Sequence, residues 1–260
     1  MKPLSTIPGF PPLIAGFGIL ATWEAAARLL DIHGLVPASE ALAQLPAILT
    51  DPQALADIAA SIRRMMIGFT LALGLAIPLG LIMGRSPIAA NLLNPLLMLV
   101  YPIPKAALMP LIMLWIGISD ASKILVILLG VALPVIYHSY QGARGVEQKL
   151  LWSAAAMGQS AAKQFVNIVI PASLPEILTG CRTGIVIALI TMVTSEMIVR
   201  QKGIGNILFT SLDVADYASV YAAIVIIGII GMILDALFEH ARRALVSWSD
   251  LRDPFGPNVQ

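Results

Sequence analysis

Three ionisable side chains fall inside long apolar runs, and chemistry has to be sought there first. They are Lys105 in "VYPIPKAALMP", Arg182 in "TGCRTGI" and Glu196 in "TMVTSEMIV". A charge at a bilayer centre costs about 2.5–3.5 kcal/mol or more, so such residues mark solute paths, relays or ion pairs. With the neighbouring hydroxyls, Lys105, Thr194, Ser195 and Glu196 form the candidate set for a translocation path. Glu196 has a second reading, a structural pair or cap with Arg200 four residues on. Lys105, directly after Pro104, reads either as a path residue or as an interface anchor, and its charge would suit an anionic solute. Arg182 lies near a span end, where a long side chain snorkels to the interface.

Other chemistries find no footing. "GISDASK" superficially echoes a phosphate loop, but Ser122 replaces its second glycine and Ile124 replaces the Ser/Thr that would hold magnesium. His33, His138 and His240 lack metal-ligand spacing. There is no H-E-x-x-H and no G-x-S-x-G, so neither a catalytic centre nor a metal site is expected. The single cysteine, Cys181, excludes an intrachain disulfide. A net charge of +1 without a Lys/Arg run gives no sign of a nucleic-acid partner.

The elements that must position these residues are membrane spans. Of the 260 residues, 58% are hydrophobic and 12% charged, with mean hydropathy +0.87; soluble domains carry about 25% charge. No alternating pattern for a barrel is present. Six segments reach the roughly 20 apolar residues a bilayer requires: 10–30, 62–84, 92–116, 124–140, 177–199 and 220–238. The first is expected to be a retained span and not a cleaved leader, with Glu24 and Arg28 pairing at its end. Span three, broken by Pro102, Pro104 and Pro110, is expected to line a path. Gly80/Gly84, Gly180/Gly184 and Gly228/Gly231 are spaced for close helix packing.

Charge orients the chain. The 31–61 stretch carries only acidic charges: Asp31, Glu40, Asp51 and Asp57. The loop after span four carries Arg144, Lys149 and Lys163, and the C-terminal end carries Arg242, Arg243 and Arg252. The positive-inside rule makes those two regions cytoplasmic, with both termini inside. Arg63/Arg64 and Arg200/Lys202 dissent. The expected organisation is residues 1–61 as first span and outer loop, 62–240 as a five-span core with an inward loop at 142–175, and 241–260 as a cytoplasmic tail.

That loop contains "WSAAAMGQSAAKQFVNIVIPASLP". Leu150, Leu151, Ala154 and Met157 mark one face of a short helix, and Gly158 stands where it would end in left-handed geometry. A second short helix runs through Phe165, Ile168 and Val169 to Ile170-Pro171. Small residues along both form a surface another protein could approach closely; an interfacial hairpin on the bilayer is the other reading.

Gly158, nine residues, then Ile168-x-Ile170-Pro171 resembles the "EAA" loop of inner-membrane permeases from binding-protein-dependent ABC importers. Trp152 and Ser153 stand where that family has Glu and Ala; Ala154 agrees. "PASEALAQL", "PIPKAALMPLIMLWIGISDASKI", "SEMIVRQKGIGNIL" and "IIGMILDALFEHARRALVSW" extend the resemblance to the sulfonate/taurine/nitrate-type branch. The resemblance implies an all-α, six-span type I ABC importer permease fold in the bacterial inner membrane, with a cytoplasmic coupling-helix loop between spans four and five. It implies a non-catalytic subunit, with ATP and magnesium on a partner: two ATPase subunits, a second permease copy and a periplasmic or lipid-anchored binding protein. Ala154, Gly158, Ser160, Phe165, Ile168, Ile170 and Pro171 would then couple to the ATPase. The resemblance implies a small organic or inorganic anion as solute, such as a sulfonate, taurine, nitrate or an aromatic carboxylate; the alternative is a pyrimidine precursor or a vitamin, which the same branch also handles. An ion-coupled secondary transporter and an intramembrane enzyme are the competing classes; no repeat between the halves supports the first, and no nucleophile–base constellation the second.

Overall fold

The computed structural model describes residues 10–30, 32–246 and 248; Asp31, Arg252 and most of the expected tail lie outside them. Every regular element among the described residues is helical. Helix α1 (Phe10–Leu29) is followed by the short α2 (Ala38–Ala43) and α3 (Leu45–Thr50). At its end Glu24 pairs with Arg28 at 2.6 Å, as the spacing suggests, and also accepts the Ser39 amide at 2.9 Å. Trp23 ties the same helix to the following turn by donating to the Val36 carbonyl.

The long α4 (Pro52–Arg85) starts where the sequence supplies both an acceptor and a pre-set φ. Asp51 accepts the Gln53 and Ala54 amides at 3.1 and 3.2 Å, and Pro52 occupies the first helical position. Ser86 and Pro87 repeat the device for α5 (Pro87–Val100). A 3₁₀ turn, Lys105–Leu108, then leads into α6 (Met109–Ile116), and the two halves meet at 81°. The bend falls at Pro102 and Pro104, which cannot continue the amide ladder. Gly117, at φ +83°, ends α6.

Helix α7 (Asp120–Arg144) occupies the middle of the bundle, with α4 on one side and α10 (Ile170–Val199) on the other. Glycine permits the α4–α7 approach: a Cβ on Gly80 or Gly84 would run into Ser139 or Ala143 and the α7 backbone. Gly180 of α10 receives His138 in the same way. Gly228, expected to pack, faces open space, while Gly231 of the same helix meets Leu189. Between α7 and α10 lie α8 (Gln148–Ala156), α9 (Ala161–Gln164) and a π-helical turn, Phe165–Val169, running directly into α10. The last helices among the described residues are α11 (Ile204–Asp213) and α12 (Tyr217–Leu245).

Among the described residues four helical stretches are long and apolar enough to cross a membrane: α4, α7, α10 with its preceding turns, and α12. The bent α5–α6 pair makes a fifth if it counts as one span. Apolar side chains such as Leu71, Leu75, Met232 and Leu237 are exposed, as lipid-facing residues must be. The starts of α4 and α7 and the end of α10 share one end of the bundle, joined by Arg64 contacts to Asp120 and Glu196. Arg85, Arg144 and the α8–α9 loop occupy the other, where Arg85 donates to Ala143 and Gln148.

Candidate functional site

A cavity of about 870 Å³ opens between the α5–α6 bend, α7 and α10. Lys105, Tyr101, Tyr137, Thr191 and Thr194 line it, with Arg144 toward the loop end, and most of the remaining wall is aliphatic. Lys105 faces the cavity but its ammonium caps the end of α5, donating to the carbonyls of Val100, Tyr101 and Ile103 at 2.6, 3.0 and 2.6 Å. The proline break interrupts the helical amide ladder at these carbonyls; Val100 keeps a turn bond from the Ile103 amide at 3.2 Å, and the lysine supplies the other donors. Thr194 donates to the Ile190 carbonyl at 2.9 Å and Thr183 to Thr179 at 3.2 Å. The phenol oxygens of Tyr137 and Tyr140 accept from Gln141 and Arg144 at 3.1 and 2.8 Å.

Of the four path candidates, only Lys105 and Thr194 line this cavity. Ser195 is fully buried and donates to the Met192 carbonyl at 2.8 Å. Glu196 is also fully buried, on another face of α10, at the centre of an ionic node. Arg64 donates to its carboxylate at 2.6 Å, Ser61 at 2.8 Å and the Gly205 amide at 3.1 Å. Ser61 in turn accepts the Ile204 amide at 2.9 Å. Arg64 also reaches Asp120 at 2.6 Å, joined there by Arg63 at 3.0 Å. The node thus fastens α4, α7, α10 and the start of α11. A side chain at Gly203 would collide with the Glu196 carboxylate, and one at Gly205 with the Val193 carbonyl and the Glu196 Cβ, which accounts for the "GIG" run.

Arg200 does not pair with the Glu196 side chain; as the cap of α10 its amide donates to the Glu196 carbonyl at 2.9 Å. It lies past the end of α10 at φ +50°, where it pairs with Asp213 at 3.5 Å and stacks 3.7 Å from the Phe209 ring centroid. Ser61, Arg64 and Asp120 had no signal as a unit, because 132 residues separate Arg64 from Glu196. Only the i,i+3 spacing of Ser61 and Arg64 hinted at a shared polar face. Arg182 pairs with Asp235 of α12 at 2.7 and 2.8 Å instead of snorkelling away.

The loop residues divide by what they touch. Leu151 and Ala154 are buried against the bundle, whereas Leu150 and Met157, expected on the same face, are exposed. Helix α8 closes in a paired turn: Gly158, at φ +79°, donates to the Ala155 carbonyl at 2.9 Å, and Gln159 donates to Ala154 at 3.0 Å. Ser160 accepts the Lys163 amide at 3.4 Å and starts α9. Phe165, Ile168 and Ile170 pack on the core, and Pro171 sits in the first turn of α10. Trp152, Ala155, Ala156, Gly158 and Ser160 remain exposed.

Several known proteins are similar to this chain. A probable ABC transporter permease protein of Brucella abortus (strain 2308) is 35% identical over 203 residues, 78% of this chain and 81% of the relative. The taurine transport system permease protein TauC of Escherichia coli (strain K12) is 32% identical over 238 residues, 88% of this chain and 86% of that one. Other relatives are named as permeases for aliphatic sulfonates (putatively so) and for nitrate import. The solved structure of the MetNI methionine ABC transporter, in inward-facing conformations, shares the fold with TM-score 0.59 and 14% identity, covering 73% of this chain and 92% of that one. The pattern of the binding-protein-dependent transport system inner membrane component family matches residues 76–247. A bent helix pair beside a cavity, a short helix pair between two long apolar helices and these relatives converge, and the chain belongs to that family of ABC transporter permeases, in the sulfonate/taurine/nitrate-type branch.

Proposed function

We propose that this chain is the non-catalytic, path-forming subunit of an ATP-driven importer. It works as a pair with a second copy, two ATPase subunits carrying ATP and magnesium, and a periplasmic or lipid-anchored binding protein that delivers a small solute. The spans are α1, α4, the bent α5–α6, α7, α10 and α12; α2, α3 and α11 face outward, and both termini and the α8–α9 loop face the cytoplasm. Sulfonates, taurine and nitrate, which name its relatives, are one set of solutes; neutral organic molecules are the other.

The observation that carries the coupling assignment is the α8–α9 joint. Its outer surface is small and exposed at Ala155, Ala156, Gly158 and Ser160, so another protein's backbone can approach it. Its inner surface is anchored, because Leu151 and Ala154 are buried and Phe165, Ile168 and Ile170 pack on the core. A push on such a joint moves α10 through the continuous π turn instead of bending the loop. ATPase closure would draw two such loops together and rock the spans from inward- to outward-facing. Ala154 then acts as an anchor, while Gly158 and Ser160 meet the partner.

Pull-down of tagged protein from native membranes in mild detergent tests this, with Gly158→Arg as control. An ATPase subunit should accompany the wild type and be lost from the variant. If nothing accompanies the wild type even after cross-linking, the coupling assignment fails.

A further inference from the structure

Lys105 is the charge that would suit an anionic solute, yet its ammonium has three N–H groups and all three are taken by carbonyls. Those carbonyls end α5, so the negative pole of a helix, equivalent to about half a charge, sits against the cation and offsets it. On the opposite wall, the Thr183 and Thr194 hydroxyl protons are committed to their own helix. What those hydroxyls present to the cavity is lone pairs, which welcome a donor and repel an anion. His138, a third basic group, faces Glu176 at 2.7 Å. Arg144 stands at the loop end, against Tyr140. Beside the remaining N–H groups of Arg144, the uncommitted donors on this wall are uncharged: the O–H protons of Tyr137 and Tyr140, whose oxygens already accept, the Thr191 hydroxyl and the Asn94 amide.

Resting on the permease reading above, we propose that this cavity accepts a small organic solute with an apolar body and uncharged hydrogen-bonding groups, and does not take a compact inorganic anion. The walls supply aliphatic and tyrosine surface for the body, phenol protons for its acceptors and threonine oxygens for its donors. An anion lodged beside Lys105 would leave its hydration shell and find that ammonium already engaged, which is a net cost; Arg144, whose guanidinium keeps N–H groups free, stands apart at the loop end. Lys105 is accordingly a positioning residue that holds the 81° bend open to the solute.

The test uses the purified chain in lipid nanodiscs and ligand-observed NMR with three probes: benzamide, benzoate and nitrate. Benzamide and benzoate share a ring and differ in charge. Benzamide should bind about tenfold more tightly than benzoate, and nitrate should displace neither. Thr194→Val and Tyr137→Phe should each weaken benzamide about threefold or more, the loss of one hydrogen bond. Lys105→Met should leave the order of the probes unchanged while raising amide exchange at 100–108, with Lys105→Arg restoring protection. Tighter binding of benzoate or nitrate, lost in Lys105→Met, overturns the proposal; so does benzamide binding indifferent to Thr194 and Tyr137, or none at all. If Lys105→Met does not fold, the wild-type order of the three probes decides. ATPase co-purification from the same preparations reports separately on the permease reading.

Discussion

At the scale of single residues, the Glu196 node shows why ionisable side chains in apolar runs need not touch a solute. Its carboxylate is enclosed but fully partnered by Arg64, Ser61 and the Gly205 amide, and a buried pair is costly mainly when one partner is removed. Arg64→Met should therefore destabilise the detergent-solubilised protein by about 3–5 kcal/mol, seen as a large fall in melting temperature by size-exclusion fluorescence. An unchanged melting temperature would show that the pair does not hold the helices. Gly203 supplies a second check in the same place. Its φ of +140° and the carboxylate against it leave no room for a methyl group. Gly203→Ala should lower stability clearly, whereas Gly228→Ala, with nothing within 4 Å, should be silent or slightly stabilising in the same assay.

At the scale of elements, the α8–α9 joint separates a conformational requirement from a steric one. Gly158 holds φ +79° with nothing near its missing side chain. Gly158→Ala then strains only the local turn, by about 1 kcal/mol. Amide exchange should rise at 155–160 while global melting and ATPase co-purification persist. Gly158→Arg adds bulk and charge to the proposed docking surface and should abolish co-purification with the same normal melting. If both variants lose the partner equally, backbone geometry and not close approach is what the partner reads. The π turn after it has a different basis: Ser173 donates to the Val169 carbonyl at 2.6 Å, a side-chain bond where the helical register shifts.

At the scale of the whole molecule, α7 carries the architecture. It touches α4 through glycine contacts and α10 along most of its length, so the bundle tolerates little added volume on these faces. Gly80→Leu should cost about 1–3 kcal/mol or more through overpacking and lower the yield of monodisperse protein, while a leucine at Gly74, with open space around it, should not. A comparable yield from both would mean the α4–α7 approach is looser than described. The topology has its own measurement: Ser160→Cys should react with an impermeant thiol reagent from the cytoplasmic side, and Thr50→Cys from the opposite one. Labelling of both from one side would break the six-span arrangement.

What the sequence determined by itself follows from local physics. Composition and apolar run length dictate membrane helices because hydrocarbon leaves backbone groups no other partner. The breaks at Pro102 and Pro104 and the Gly158 turn are legible because each rests on one residue's backbone geometry or on neighbours within four positions. The Glu24–Arg28 pair was readable for the same reason. The partner of Glu196, the engagement of Lys105 and the outward turn of Leu150 and Met157 were not. Arg63 and Arg64, which contradict the charge rule in sequence, are neutralised by Asp120 and Glu196 from distant helices. Such pairings depend on which helix faces meet. That is decided by glycine contacts between α4, α7 and α10, and so only the tertiary structure separates the charges that hold the bundle from the groups left facing the cavity.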